Sequence, residues 1–214
     1  MSIMKTKGTI GGRGARSAAL VLGFFGLVGM STPAEAEHVT LPLRCSTGPS
    51  GQRFDVKVTM PSRVEAGSVF AVRIDGASSG KISHTGLNYL HDMSVEYVLP
   101  SGTAYVDGSA QLVPGTGTTN VRAGARVSYR NGALTLVLPG KVDNGTDFTP
   151  PSISLQLKAT GSPGSSAAVG FSQYRLKTNA FLIGDVAVSC DPTSKPYAVG
   201  TTMITAPGAM ASAP

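Results

Sequence analysis

Val121–Leu138 reads VRAGARVSYRNGALTLVL, two apolar-rich segments set about Arg130-Asn131-Gly132. Asn-Gly is a strong hairpin signal, because both residues tolerate the positive φ that a tight two-residue turn demands. The flanks, Val121–Tyr129 and Ala133–Leu138, therefore predict paired antiparallel strands. The same pattern extends outward. Phe54–Met60 (FDVKVTM) puts Phe54, Val56, Val58 and Met60 on one face and stops at Pro61-Ser62. Period-two alternation is the mark of a half-buried strand. Ile153–Ala159 (ISLQLKA) alternates in the same way.

Further segments bounded by turn residues are His38–Cys45, Ser68–Ile74, Met93–Leu99, Ala167–Leu176 and Ala180–Ser189. Asp107-Gly108 predicts a second hairpin, joining Thr103–Val106 to Ser109–Val113. Cys190 is read as closing the domain. The expectation is an all-β, antiparallel, immunoglobulin-like sandwich of nine or ten strands. Composition agrees: 27 Gly and 14 Pro among 214 residues, 14% charged residues and no Trp describe a turn-rich β-protein rather than a helical bundle.

The first 36 residues follow a different logic. Lys5, Lys7, Arg13 and Arg16 precede a charge-free apolar run, Ser17–Gly29 (SAALVLGFFGLVG), and Ala34-Glu35-Ala36 supplies small residues at a cleavage site. This is the layout of a secretory signal peptide. Its core is shorter than the roughly 17–25 residues of a membrane-spanning helix. The expected organisation is a cleaved leader over 1–36, a β-sandwich over 37–205 and a disordered tail over 206–214, with the mature chain secreted or held at the cell envelope. No transmembrane segment is expected after the leader.

Export frames the cysteines. Cys45 and Cys190 are the two in the chain, and an oxidising compartment predicts that they form a disulfide. Export also changes the charge. The formal net charge of +6 falls to about +3 once the basic leader is removed. The remaining Lys and Arg are scattered singly, which argues against a nucleic-acid partner.

Several local patterns touch on chemistry. Gly76-Ala77-Ser78-Ser79-Gly80 matches G-x-S-x-G, but a nucleophile elbow needs a following helix and a later His. Lys81–Gly86 starts a helix poorly, and no His follows His91. His84, His91 and Asp92, with His38, lack a metal-ligand spacing such as H-E-x-x-H, so they read as surface or edge-strand residues. Asp143-Asn144-Gly145-Thr146-Asp147 covers part of a Ca²⁺ loop without the distal Glu, and reads as an Asx-rich turn. Asn144-Gly145-Thr146 is also a glycosylation sequon. Leu112–Gly117 (LVPGTG) is internal and is not a sorting signal. The six Tyr residues form no tight sequence cluster that would suggest a sugar platform. No catalytic residue, metal or cofactor is assigned.

The run Cys45–Gly67 (CSTGPSGQRFDVKVTMPSRVEAG) leads from a Cys through a Gly turn, an alternating strand and a Pro to a Val-x-x-Gly turn. Cys190-Asp191-Pro192 places the second Cys before a Pro. In these features the chain resembles uncharacterised secreted β-sandwich modules of actinobacterial envelope proteins. The resemblance covers the two ends of the domain better than its middle. It implies a fold and a location, and brings no catalytic residues.

The functional expectation is a non-enzymatic binding or surface module. Its partner is an unknown protein, glycan or lipid of the envelope, contacted through loops around Asp75–Asn88 and Lys141–Pro151. The alternative is a carrier of a lipid or other apolar ligand between the sheets, in a cavity lined by residues such as Val69, Val98, Leu136 and Leu182. A hydrolase or metal enzyme using Ser78 or His91 is the third.

Overall fold

The computed structural model describes residues 34–48, 52–77, 82–113 and 124–208, which form strands, turns and loops with no helix. The first half carries β1 (Ala34–Cys45), β2 (Gln52–Pro61), β3 (Arg63–Glu65), β4 (Val69–Gly76), β5 (Leu87–Val98), β6 (Thr103–Tyr105) and β7 (Gln111–Val113). The second half carries β8 (Arg126–Arg130), β9 (Ala133–Leu138), β10 (Val142–Asp143), β11 (Ser152–Ala159), β12 (Ser166–Ala180), β13 (Gly184–Pro192) and β14 (Tyr197–Thr205).

The strands form a sandwich folded from one continuous ladder, in the order β6-β11-β4-β2-β1-β13-β12-β5-β9-β8. Pairing is antiparallel except where β14 runs parallel to β3. One layer turns Val56, Val58, Val72, Ile74, Leu155 and Leu157 inward. The other answers with Met93, Val95, Leu134, Leu136, Val169 and Phe171, all almost fully buried. The inward set follows the period-two spacing, since alternate side chains of a strand share a face. Phe54, Phe171 and Tyr97 make the aromatic centre, with ring centroids 5.1 Å (Phe54–Phe171) and 6.0 Å (Tyr97–Phe171) apart.

The two layers join where β1 meets β13, over three register pairs, Leu43↔Pro192, Arg44↔Asp191 and Cys45↔Cys190. The disulfide closes the last of these, with Cα atoms 4.0 Å apart. It stitches neighbouring strands at the layer junction, and it ties the first strand to the last but one.

The RNG hairpin forms between β8 and β9, with Tyr129↔Leu134 and Arg130↔Ala133 in register. Asn131 (φ 50°) and Gly132 (φ 79°) both take the left-handed region, as a type I′ turn requires. Ala133–Leu138 has the expected bounds. Gly124 and Ala125 lie outside β8, and residues 121–123 lie outside the described part.

Three expectations are corrected. The described residues form fourteen strands, against the about nine or ten expected; β3 and β10 are too short to leave a sequence pattern. Cys190 does not close the domain, because β14 follows it and buries Val199 and Ile204. Thr takes both faces of β14, with Thr202 buried and Thr201 exposed, so polarity does not alternate there. Asp107-Gly108 is a turn but not a hairpin. β6 and β7 both pair with β11, through Leu157↔Tyr105 and Ile153↔Leu112. Turn chemistry fixes a local bend and leaves the partner of each flank open. Here Ser109 Oγ, accepting from Gln156 N at 3.0 Å, pins the bend to β11.

Ala34–Ala36 pair with Pro61–Thr59 at the start of β1, and Glu37 Oε2 accepts a hydrogen bond from Thr201 N. At the other terminus Gly208 N donates to Glu65 Oε1. The rest of the expected tail, 209–214, lies outside the described residues, as does 1–33 of the expected leader.

Candidate ligand-binding cleft

At one end of the sandwich the layers part around a cleft of about 1010 Å³. This is the upper end of the range typical of small-molecule sites, roughly 300–1,000 Å³. Its floor comes from inward-facing residues of three strands: Met93 and Val95 of β5, Tyr174 and Leu176 of β12, and Val188 of β13. Leu43 and Phe54 form the opposing wall, and the disulfide lies beside them. Phe54 and Tyr174 face each other across the floor with centroids 5.7 Å apart. Burial pushes the phenols of Tyr174 and Tyr97 above their usual range, so both stay neutral at physiological pH.

The rim is more polar, with Arg53, Asp55, His84 and Thr85. It is built by the two loops singled out in the sequence, which lock together. Asn144 Oδ1 accepts from His84 N (3.2 Å), while Asn144 Nδ2 donates to His84 O (3.1 Å). Ile82 N donates to Thr146 O. Ile82, His84, Phe148 and Pro150 then face the cleft. The DNGTD turn thus spends its Asn on pinning a loop 60 residues away in the chain.

The third side of the mouth is the β12–β13 turn. Ala180 O accepts from Ile183 N, and Gly184 follows at φ 73°. This is a three-residue hairpin loop ending in a left-handed Gly. Phe181 N donates to Gly86 O, which ties the loop to the other rim. The loop residues Phe181, Leu182 and Ile183 are 77%, 89% and 76% exposed and border the cleft. They fall within Ala180–Ser189, which the sequence pattern predicts as one strand. The available signal was three consecutive large apolar residues directly before Gly-Asp, where a turn would ordinarily carry polar side chains.

Of the four lining residues expected for an apolar carrier, Leu182 alone borders the cleft. Val69 is 54% exposed on β4, Leu136 is 3% exposed in the closed core, and Val98 is half-buried away from the opening. The cleft occupies the end of the sandwich, whereas those three belong to its middle and its edges.

Of the candidate chemical groups, His91 and Asp92 meet as neighbours on β5. Ser78–Gly80 lie outside the described residues, and the chain runs from Ile82 into β5 without a helix. His38 is exposed on β1 beside Lys57. His91 lies on β5 with Nδ1 3.3 Å from Asp92 Oδ2 and Nε2 3.2 Å from Asp185 Oδ2. Lys177 Nζ reaches Asp92 Oδ2 at 3.0 Å, and Asn179 Nδ2 donates to Asp185 Oδ1 at 2.6 Å. These partners hold both carboxyls below the usual range: Asp92 chiefly through Lys177, Asp185 chiefly through Asn179. Among the described residues no three or more His, Cys, Asp or Glu side chains are placed to hold a metal.

The sequence matches no protein-family model and no curated protein. Solved structures similar to the chain include a protein described as membrane-anchored from Corynebacterium diphtheriae, with 13% identity and a TM-score of 0.46. That match covers 81% of this chain and 38% of the other. The collagen-binding domain of the Erysipelothrix rhusiopathiae surface protein RspB is also similar, with 13% identity, a TM-score of 0.41 and coverage of 80% and 57%. A cohesin module from a Clostridium perfringens family 33 glycoside hydrolase has 13% identity and a TM-score of 0.35, covering 72% and 97%. The chain thus spans well under two thirds of the first two proteins. Likenesses of this extent speak to neither ligand nor activity. No helix among the described residues is long and apolar enough to cross a membrane.

Proposed function

We propose that this chain is a non-enzymatic binding module of the cell exterior, exported with loss of residues 1–36, whose ligand is an apolar molecule held in the end cleft. The observation that carries the reading is the cleft itself. The opening of about 1010 Å³ is floored by Met93, Val95, Leu176 and Val188, a size and lining that suit a small apolar molecule. A mostly apolar wall with a few polar groups at the rim is the usual design of a small-molecule site. The loops foreseen as contacts take part as the rim of this cleft, rather than as a separate patch.

Val186 of β13 faces the cleft and is half-buried, so Val186→Trp fills the space without forcing a closed core apart. The test titrates the protein, purified as its host secretes it, with the fluorescent fatty acid 11-dansylamino-undecanoate. Saturable one-to-one binding is expected, weakened at least tenfold by V186W while the unfolding midpoint holds. Absence of saturable binding, or equal binding by V186W, would reject the reading.

A further inference from the structure

We infer that the Phe181-Leu182-Ile183 turn is a membrane-docking element that seats the mouth of the cleft on the surface of a lipid bilayer. The route this gives the ligand rests on the cleft reading above; the docking itself does not.

The fold has no use for these three side chains. The turn is held by its backbone, through Ile183 N to Ala180 O, Phe181 N to Gly86 O and the left-handed Gly184. Polar residues serve the middle of such a turn as well or better. Phe181, Leu182 and Ile183 nevertheless stand consecutively in solvent, each at least 76% exposed. Isolated exposed apolar residues are ordinary, but a contiguous group of this kind marks a contact site.

The shape and position of the group select its occupant. It is a convex hairpin tip, so three neighbouring side chains can enter a fluid apolar phase together. The tip also lies on the rim of the apolar cleft, so a bilayer receiving it lies against the opening. A ligand passing between bilayer and cleft then avoids crossing water.

Charge beside the tip is mixed. Lys177 pairs with Asp92 at 3.0 Å, and Asp185 accepts from Asn179 at 2.6 Å. Arg53 stands exposed on the same rim. Without residues 1–36 the chain keeps a net charge of about +3, which favours anionic surfaces. Both ends of the described chain lie at the opposite pole. β12 runs towards the tip, and its first residues, Ser166 and Ala167, pair with Met203 and Thr202 near the end of β14. β1 starts at Ala34, eleven residues before the Cys45↔Cys190 pair and on the side of that pair away from the tip.

The experiment is flotation of the host-secreted protein with vesicles of equal parts phosphatidylglycerol and phosphatidylcholine. It compares the wild type with the triple variant Phe181→Ser, Leu182→Ser, Ile183→Ser. All three positions are exposed, so folding should survive, and the unfolding midpoint checks this. The wild type should float and the triple variant should lose at least tenfold in vesicle association. V186W should float like the wild type. A wild type that stays in solution, or a triple variant that floats equally well, overturns the docking assignment even if the cleft binds the probe. A wild-type dimer that dissociates in the triple variant, with no flotation, also overturns it, since the occupant is then a second copy. Flotation lost in the triple variant while neither protein binds the probe upholds docking and rejects the acyl-binding cleft.

Discussion

Replacing Cys45 and Cys190 together by Ala tests both the layer junction and the cleft. The disulfide spans 145 residues of sequence. Closing a loop of that length in the unfolded chain corresponds to about 5 kcal/mol in the chain-entropy model. A domain of this size has a total stability of about 5–15 kcal/mol, so the variant gives up a large share of it. The structure adds a local consequence. The β1–β13 contact comprises three register pairs, the fewest of any junction between long strands here. Without the covalent link the seam keeps its three backbone register pairs and the Ser46–Ser189 hydrogen bonds, and Leu43 lines the cleft. The assay is urea unfolding of oxidised wild type and the double-Ala variant, with amide exchange of β1 and β13. A loss of about 3–5 kcal/mol is expected, with exchange faster at 43–46 and 188–192 than in β9 or β11. A loss below about 1 kcal/mol with unchanged exchange at the seam would refute the reasoning, because the non-covalent packing would then hold the layers by itself.

Two further predictions concern the core and acid. Gly200 lies where β14 crosses β2, and a Cβ there would come within 2.6 Å of Val58 Cγ1 and 2.9 Å of Val58 Cβ. Gly200→Ala should therefore cost about 1–3 kcal/mol by overpacking, read as a lower urea midpoint; an unchanged midpoint would mean that β14 shifts freely. Asp92 and Asp185 titrate below the ordinary carboxylate range in the folded state, through Lys177 and Asn179 respectively. Their contribution is complete above the unfolded carboxylate pKa of about 3.9 and is lost as pH falls through the lower folded values. Stability measured below about pH 4 should thus fall more steeply for wild type than for Asp92→Asn, and parallel curves would show the Lys177 pair to be inert.

Much of the fold follows from local chemistry. Period-two alternation placed β2, β9 and β11 to within two residues, because one face of each strand meets a core and the other meets water. Asn131-Gly132 set the β8–β9 hairpin, since few other dipeptides accept positive φ twice. Two cysteines in the chain admitted one intramolecular pairing. Where the rules are not local, reading along the chain stops. Asp107-Gly108 signals a bend, but only the assembled sheet decides that both flanks pair with β11. β14 hides because Thr serves buried and exposed positions alike. Exposed and lining residues depend on where the layers part. Val69, Val98 and Leu136 are apolar like the true cleft residues, yet the sandwich closes over Leu136 and turns Val69 outward.

The sequence by itself determined the class of fold, the strand faces and the disulfide, each written in spacing or in residue type. The tertiary structure alone decided the cleft and its apolar tip. Both arise from residues far apart in the chain, Leu43, Phe54, Met93, Phe148 and Phe181, brought to one end of the sandwich. A void between layers is a property of how they fail to meet, and no single segment encodes it.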